Sequence, residues 1–356
     1  MSGPVLIMAG GTGGHVYPGL AVARELLERG VEVVWMGTRA GIEARVVPAA
    51  GIPVEWVPVA GVRGKGWRRR LAAPFMVARA VWHALGVMRR LRPRAVLGMG
   101  GFVAGPGGVA AWLARRPLCI HEQNAVAGLT NRLLARIARR VACAFPAAFP
   151  GRRVVVTGNP VREEIAALPA PAERWAGRRG PLRLLVLGGS LGAQALNLTV
   201  PAALGRLPAG GRPLVRHQTG RGKLEETRAA YAEAGVEGEL EEFLEEMAEA
   251  YGWADLVVCR AGALTISELA AAGVGALLVP YPHAVDDHQT RNGAWLVEAG
   301  AARMIDQREL DAERLAAELA ALDRPALLAM AEAARAVARP NAAAELAEIC
   351  LEEGRG

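Results

Sequence analysis

Short apolar runs alternate with longer stretches of helical periodicity along this chain. Residues 5–9, 31–36, 95–98, 118–120, 140–144 and 154–157 read as strands, and residues 184–188, 214–218, 256–259, 276–280 and 302–305 continue the pattern in the second half. Helical segments separate most of them, which is the βαβ signature of a parallel sheet covered on both faces. So many strands exceed one open sheet of usual size and predict two sheets. A weak internal repeat points the same way. The strand ending at Ala9 runs into Gly10-Gly-Thr-Gly-Gly14 and a helix over 18–29; the strand ending at Leu187 runs into Gly188-Gly-Ser-Leu-Gly192 and a helix over 193–204. In the first of these helices Leu20, Ala23, Leu26 and Leu27 share a face, and Gly30 ends it. A Pro/Arg-rich stretch, 169–181, follows Gly158-Asn159-Pro160 and places the joint there. The domains expected are 1–160 with the last helix, 341–356, and 161–340.

The length of 356 residues suits two domains with their own cores. With 52% apolar and 22% charged residues the chain is globular, which excludes wholesale disorder. The net charge of +7 conceals an asymmetry: residues 1–162 hold 23 Lys/Arg and 6 Asp/Glu, whereas residues 163–356 hold 19 and 29. A basic half joined to an acidic half points to an anionic partner on one side. Cys119, Cys143, Cys259 and Cys350 are far apart and form no CxxC or CxxH pair. That argues against a disulfide scaffold and a zinc site and fits a reducing compartment. No signal-peptide pattern opens the chain. The uncharged run 95–114 is long enough to test as a membrane span, but its six glycines and Pro106 read as strand, glycine-rich loop and helix.

A glycine turn that opens a helix offers free backbone N–H groups and the positive end of the helix dipole, both suited to phosphate. One such turn is as often a tight turn without a ligand; two in corresponding positions favour the phosphate reading. A dinucleotide site requires G-x-G-x-x-G and an acid closing the second strand. Gly11-Thr12-Gly13-Gly14-His15-Val16 lacks the final glycine, and Trp35-Met36-Gly37-Thr38 carries no acid, so NAD is disfavoured. Lys65 precedes Gly66 and Lys223 precedes Leu224, so neither completes a P-loop.

Six motifs then occur in order: Gly10-Gly-Thr-Gly-Gly-His15-Val-Tyr-Pro-Gly19, Gly100-Gly-Phe-Val-Ala-Gly-Pro-Gly-Gly108, His121-Glu-Gln-Asn124, Gly158-Asn-Pro-Val-Arg162, Gly188-Gly-Ser190 and Gly262-Ala-Leu-Thr-Ile-Ser-Glu268. Over nearly the whole chain this set resembles the MurG family of N-acetylglucosaminyltransferases of peptidoglycan synthesis. The resemblance implies an α/β fold of GT-B architecture, two Rossmann-like domains with parallel sheets facing across a cleft. It implies inverting transfer of GlcNAc from UDP-GlcNAc to the 4-hydroxyl of undecaprenyl-pyrophosphoryl-MurNAc-pentapeptide, without a cofactor or metal, at the cytoplasmic face of the bacterial membrane. Two positions depart from the family's usual residues: Leu191 stands where glutamine is usual, and Ala261 where serine is common.

By the same resemblance, the C-terminal half holds UDP-GlcNAc. Ser190 would contact the phosphates, a role compatible with capping the helix that follows. Leu244, after Phe243, would lie against the uracil; packing in a core is the alternative. Ala263, Leu264 and Thr265 would line the donor site, and Glu268 would bind the ribose hydroxyls, although Thr265-x-x-Glu268 also reads as a capping box. Gln289 would contact the donor sugar; the preceding Asp286-Asp287-His288 reads as a solvated turn rather than a metal site. The N-terminal half holds the acceptor, with Thr12, Gly13, Gly14, Asn124 and Arg162 reaching toward the donor. Arg162 suits bidentate contact with diphosphate, or a surface pair with Glu163 or Glu164. His15 is the base candidate, since imidazole titrates in the right range, and Glu122 is its rival.

Between Trp56 and His121 no acidic residue occurs. Within this basic stretch Arg68, Arg69, Arg70, Leu71, Phe75, Arg79, Trp82 and Leu85 fall at near-helical spacing. Basic residues flanking an aromatic-aliphatic helix suit adsorption to an anionic bilayer, and a core helix with solvated arginines is the alternative. No nucleic-acid motif accompanies the charge, so no nucleic-acid partner is expected. The competing functions are a related GT-B enzyme, either a UDP-GlcNAc 2-epimerase or a diacylglycerol glycosyltransferase, and a non-catalytic nucleotide- or membrane-binding protein.

Overall fold

The structure is a computed structural model that describes residues 3–58, 67–189 and 191–355, with backbone alone at 67–73 and 285. The chain divides into two compact units, Met1–Arg162 with Pro340–Gly356, and Glu163–Arg339.

The first unit runs β1 (Val5–Ala9), α1 (Gly13–Glu28), β2 (Val33–Gly37), α2 (Glu43–Ala49), β3 (Val54–Trp56) and α3 (Trp67–Leu91). It continues through β4 (Ala95–Gly100), α4 (Gly101–Leu113), β5 (Leu118–Glu122), α5 (Leu129–Leu134), β6 (Arg140–Cys143) and β7 (Val155–Val156). All seven strands pair in parallel in the order β3-β2-β1-β4-β5-β6-β7. Successive residues of β1 feed opposite faces, as the two-residue period of a strand requires. Leu6 and Met8 pack in one core with Met88 and Val103; Val5 and Ile7 pack in another with Leu26, Leu346 and Cys350.

The second unit runs α6 (Glu163–Ala166), α7 (Pro171–Trp175), β8 (Arg183–Leu187), α8 (Gln194–Arg206), β9 (Leu214–Gln218), α9 (Leu224–Glu233), β10 (Glu239–Glu241) and α10 (Met247–Trp253). Next come β11 (Leu256–Cys259), α11 (Ala263–Ala272), β12 (Gly275–Leu278), α12 (His288–Glu298), β13 (Ala302–Met304), α13 (Ala312–Ala320) and α14 (Arg324–Ala336). Its six strands are also parallel, in the order β10-β9-β8-β11-β12-β13. The Pro/Arg-rich stretch is tied down: Arg178, with Arg324 from α14, meets the fully buried carboxylate of Asp255 at the start of β11. The last helix, α15 (Ala342–Arg355), belongs to the first unit and packs against α1 and β4. Leu346 and Ile349 seat it, each buried side chain contributing roughly 1.5–3 kcal/mol.

Three differences from the sequence reading have physical causes. The strands β3 and β10 were not expected; each is a three-residue edge strand, too short to show a period. Helix α1 begins at Gly13 rather than near Pro18, so the second pair of glycines and His15 form its first turn. The glycines of 101–108 form helix α4 rather than a loop, because they allow close packing. A β-carbon at Gly107 would meet the Met8 sulfur at 2.3 Å, and one at Gly108 would meet Leu134 Cδ2 at 2.6 Å. The four cysteines are free and buried. Among the described residues no helix is long and apolar enough to cross a membrane.

Candidate active site

In the first unit the strand order reverses between β1 and β4. The loops leaving the carboxyl ends of strands at such a reversal are the usual ligand position in open parallel sheets. Gly10–Thr12 follow β1, and Gly100-Gly101 turn β4 directly into α4. These two turns touch through backbone: a β-carbon at Gly101, which holds φ +80°, would lie 2.2 Å from the Gly10 carbonyl oxygen. Only glycine satisfies both that contact and that dihedral. Thr12 takes the N-cap position of α1 with extended backbone, yet its hydroxyl makes no capping bond. The N–H groups of the first turn, Gly13 and Gly14 among them, thus have no side-chain cap from Thr12. The turn is braced from behind by Glu43, a fully buried carboxylate. It accepts hydrogen bonds from the Gly11 N–H (3.0 Å), the Thr38 N–H (3.0 Å) and the Thr38 hydroxyl (2.7 Å). Sequence reasoning missed Glu43, and nothing local marks it, since 32 residues separate it from Gly11.

His15 is half-buried on the first turn of α1, and its Nδ1 lies 3.0 Å from Gln123 Oε1. Gln123 donates to the Met99 carbonyl at 2.7 Å and stands 3.2 Å from His121 Nδ1. His121 Nε2 in turn lies 2.9 Å from the Gly158 carbonyl. Full burial lowers the His121 pKa to about 4, so its ring is neutral at physiological pH. His121-Glu-Gln-Asn124 thus has more structure than its quoted motif revealed: Gln123 and His121 were not assigned roles from sequence.

Glu122, the rival base, is buried and saturated. Its Oε1 accepts from the Asn124 backbone N–H (3.0 Å) and side-chain amide (3.2 Å); its Oε2 accepts from the Gly128 N–H (3.1 Å) and the Asn131 amide (2.9 Å). Four donors on one carboxylate occupy its acceptor sites and tie it to the 123–128 loop. These bonds give Glu122 a place as a brace of the loop beside His15. Asn124 is half-buried beside it, and Asn159 holds the same loop by donating to the Gln123 carbonyl at 3.0 Å. Arg162 is half-buried at the end of the first unit's main segment.

In the second unit the order reverses between β8 and β11. Ser190 lies outside the described residues. The loop around it is held by close backbone approach: a β-carbon at Gly192 (φ +70°) would meet the Thr219 carbonyl oxygen at 2.2 Å. Helix α8 follows with Ala193 at its N-cap, and α11 follows β11 with Gly262 at its N-cap; neither has a side-chain cap. The capping box at Thr265 and Glu268 is not formed, because α11 already begins at Ala263 and both residues lie inside it. Ala263 is buried on its first turn, with Leu264 and Thr265 half-buried beside it. Glu268 instead points inward, where the fully buried Tyr251 hydroxyl donates to its Oε2 at 3.1 Å. Tyr251 was missed in sequence, being on a different helix. Leu244 is buried and its neighbour Phe243 exposed. Gln289 Oε1 accepts from the Tyr281 N–H at 2.9 Å, and just before it Asp286 and Asp287 hold φ +54° and +51°. Two successive non-glycine residues in the left-handed region give a strained turn. In it Asp287 accepts from the Thr290 hydroxyl at 2.7 Å.

On α3, Phe75 (83% exposed), Arg79 and Trp82 (71% exposed) share one face, while Ala80, Ala84, Val87 and Met88 turn into the core. Leu85 is half-buried at the boundary. Arg68, Arg69, Arg70 and Leu71 belong to the same helix, but their side chains lie outside the described residues. Helix α4, which packs on α3, ends in exposed Trp112 and Leu113. Their place inside an apolar run hid them from the sequence reading.

Comparison with known proteins follows the same division. The glycosyltransferase family 28 N-terminal domain matches residues 5–143, and the glycosyltransferase family 28 C-terminal domain matches residues 183–347. A relative from Alkalilimnicola ehrlichii is 63% identical over all of both chains. It is a UDP-N-acetylglucosamine–N-acetylmuramyl-(pentapeptide) pyrophosphoryl-undecaprenol N-acetylglucosamine transferase. A relative of the same description from Chromohalobacter salexigens is 59% identical over 99% of this chain and 97% of its own. The crystal structure of Acinetobacter baumannii MurG matches with a TM-score of 0.87 and 43% identity, covering 98% of this chain and 99% of that one. The UDP-GlcNAc 2-epimerase of Neisseria meningitidis, at TM-score 0.68 and 12% identity over 98% and 99% of the chains, shares the fold alone.

Proposed function

The chain belongs to the MurG family within glycosyltransferase family 28, and on that premise we propose how its two GT-B units divide the transfer of N-acetylglucosamine from UDP-GlcNAc to N-acetylmuramyl-(pentapeptide) pyrophosphoryl-undecaprenol. The first unit takes the acceptor and the second the donor. His15 removes the proton from the acceptor's 4-hydroxyl as that oxygen bonds to C1 of GlcNAc. The C1–O bond to the diphosphate breaks, UDP leaves with the electron pair, and a single displacement inverts C1. Negative charge on the departing diphosphate is met by the N–H groups of the 188–193 loop, Ser190 and the dipole of α8. Glu268 binds the ribose hydroxyls, with Ala263, Leu264 and Thr265 lining the same helix end. Leu244 lies against uracil and Gln289 meets the donor sugar. Thr12, Gly13, Gly14, Asn124 and Arg162, from the acceptor-binding unit, reach toward UDP-GlcNAc.

The observation that best supports the catalytic part is His15 itself. It is an imidazole on a glycine turn at the strand-order reversal, with one ring nitrogen engaged by Gln123 and its rival carboxylate already saturated. The basic stretch and the exposed Phe75, Arg79 and Trp82 of α3 support the reading that the protein attaches to the cytoplasmic face of an anionic membrane, where the lipid-borne acceptor is reached. The purified chain is expected to release UDP from UDP-GlcNAc only when the MurNAc lipid is supplied. Conversion of UDP-GlcNAc to its 2-epimer without an acceptor would instead establish the epimerase reading.

A further inference from the structure

The hydrogen bonds behind His15 form a chain whose two ends are backbone carbonyls, and a carbonyl only accepts. At one end, His121 Nε2 faces the Gly158 oxygen at 2.9 Å, so Nε2 carries the proton. The ring is neutral, so His121 Nδ1 is left as an acceptor. At the other end, the Met99 oxygen at 2.7 Å fixes which face of the Gln123 amide is NH2. One amide hydrogen goes to Met99 and the other to His121 Nδ1 at 3.2 Å, so the amide cannot be turned over without setting lone pairs against lone pairs twice. Gln123 Oε1 is therefore an acceptor aimed at His15 Nδ1, 3.0 Å away.

We infer that Gln123, oriented by Met99 and His121, is a positioning residue that fixes His15 as the Nδ1–H tautomer and so keeps its Nε2 lone pair free to take the acceptor's proton. This rests on the assignment of His15 as the base. In free imidazole side chains neither nitrogen is reserved for the proton; in this site the amide oxygen reserves Nδ1 for it. Gly100 leaves room for the ring in this orientation, since a β-carbon added there would lie 2.9 Å from Nδ1 and Cε1.

The test is direct. With 15N-histidine-labelled full-length protein at pH 8, long-range 1H–15N correlation reads which ring nitrogen is protonated, and His15→Gln assigns the signal by its loss. The expected wild-type pattern is a protonated Nδ1 and a bare Nε2 at His15. In Gln123→Leu the pattern shifts toward Nε2–H, and kcat falls at least about tenfold, since a misassigned tautomer disables a base of this kind. The KM for UDP-GlcNAc stays within about twofold in that variant. A wild-type Nε2–H tautomer overturns the inference without any variant, which keeps it open to refutation if Gln123→Leu does not fold. A Gln123→Leu protein that folds and keeps both tautomer and kcat also overturns it. If the tautomer is as expected but His15→Ala turns over normally, the base assignment fails and the tautomer control stands. If His15→Ala is inactive but the wild-type tautomer is Nε2–H, the reverse holds.

Discussion

A β-carbon at Gly100 would lie 2.9 Å from both Nδ1 and Cε1 of His15. The candidate base thus packs against a residue with no side chain, held at φ +102° and ψ −172°, a region essentially reserved for glycine. Gly100→Ala forces both the dihedral and the ring to give way. It is expected to destabilise the protein by about 1–3 kcal/mol in chemical denaturation. Turnover should fall at least about tenfold, because the ring is displaced from its setting. Wild-type kinetics in this variant would show that the contact does not hold the imidazole.

Glu122 and His15 separate by pH profile. Glu122→Gln replaces one accepting oxygen by a donor facing N–H groups, at a cost of about 1–3 kcal/mol. Lower stability and reduced turnover are expected, with the acid limb of the kcat/KM profile unmoved. Disappearance of that limb in Glu122→Gln, with the fold intact, would restore Glu122 as the base.

The face of α3 is expected to carry membrane attachment without carrying stability. Phe75→Ser with Trp82→Ser removes two highly exposed aromatics. Vesicles containing anionic lipid should then retain at least about tenfold less protein, from the apolar area lost at the interface. Unfolding free energy should change by less than about 0.5 kcal/mol, as for surface positions generally. Arg68, Arg69 and Arg70 changed together to Ser should steepen the loss at low ionic strength. Co-sedimentation indifferent to all of these changes would remove the membrane role from this helix.

Tyr251 bears on donor binding through Glu268. Tyr251→Phe deletes the hydroxyl that donates to Oε2 and leaves the aromatic body in place. The KM for UDP-GlcNAc is expected to rise about three- to tenfold, the net worth of one ordinary hydrogen bond, with kcat little changed. A selective fall in kcat would place Glu268 elsewhere than on the ribose.

Two buried histidines set a pH dependence of stability. Burial lowers His121 to about 4 and His217, held between Asn197 and Tyr231, to about 3. In the unfolded chain both titrate near 6.5. Between about pH 6.5 and pH 4 the unfolded state therefore binds more protons than the folded one, so stability falls as the pH falls through that window. The slope approaches about 1.4 kcal/mol per pH unit for each histidine, and His121 stops contributing below about 4. Urea midpoints measured from pH 7 to pH 4 should show this, and His217→Gln should reduce the slope. A midpoint flat across that window would contradict neutral burial of both rings.

What the chain's own pattern determined is the set of elements with a strong period and its glycine turns. The strands at 5–9 and 256–259 have the bounds read from their apolar runs, because a strand buried on both faces writes its whole length as apolar residues. The ordered motifs likewise put His15 and Glu122 at the carboxyl ends of strands of one sheet and Glu268 on a helix that leaves a strand of the other. The contacts around those residues have no local signature. His15 meets Gln123 across 108 positions, Gly11 meets Glu43 across 32, and Glu268 meets Tyr251 across 17. A hydrogen bond between distant residues leaves no periodicity, and whether a carboxylate is a base or a saturated brace depends on how many donors the fold brings to it. Only the tertiary structure supplies that count, four for Glu122, because its donors come from the loop and helix that follow its strand.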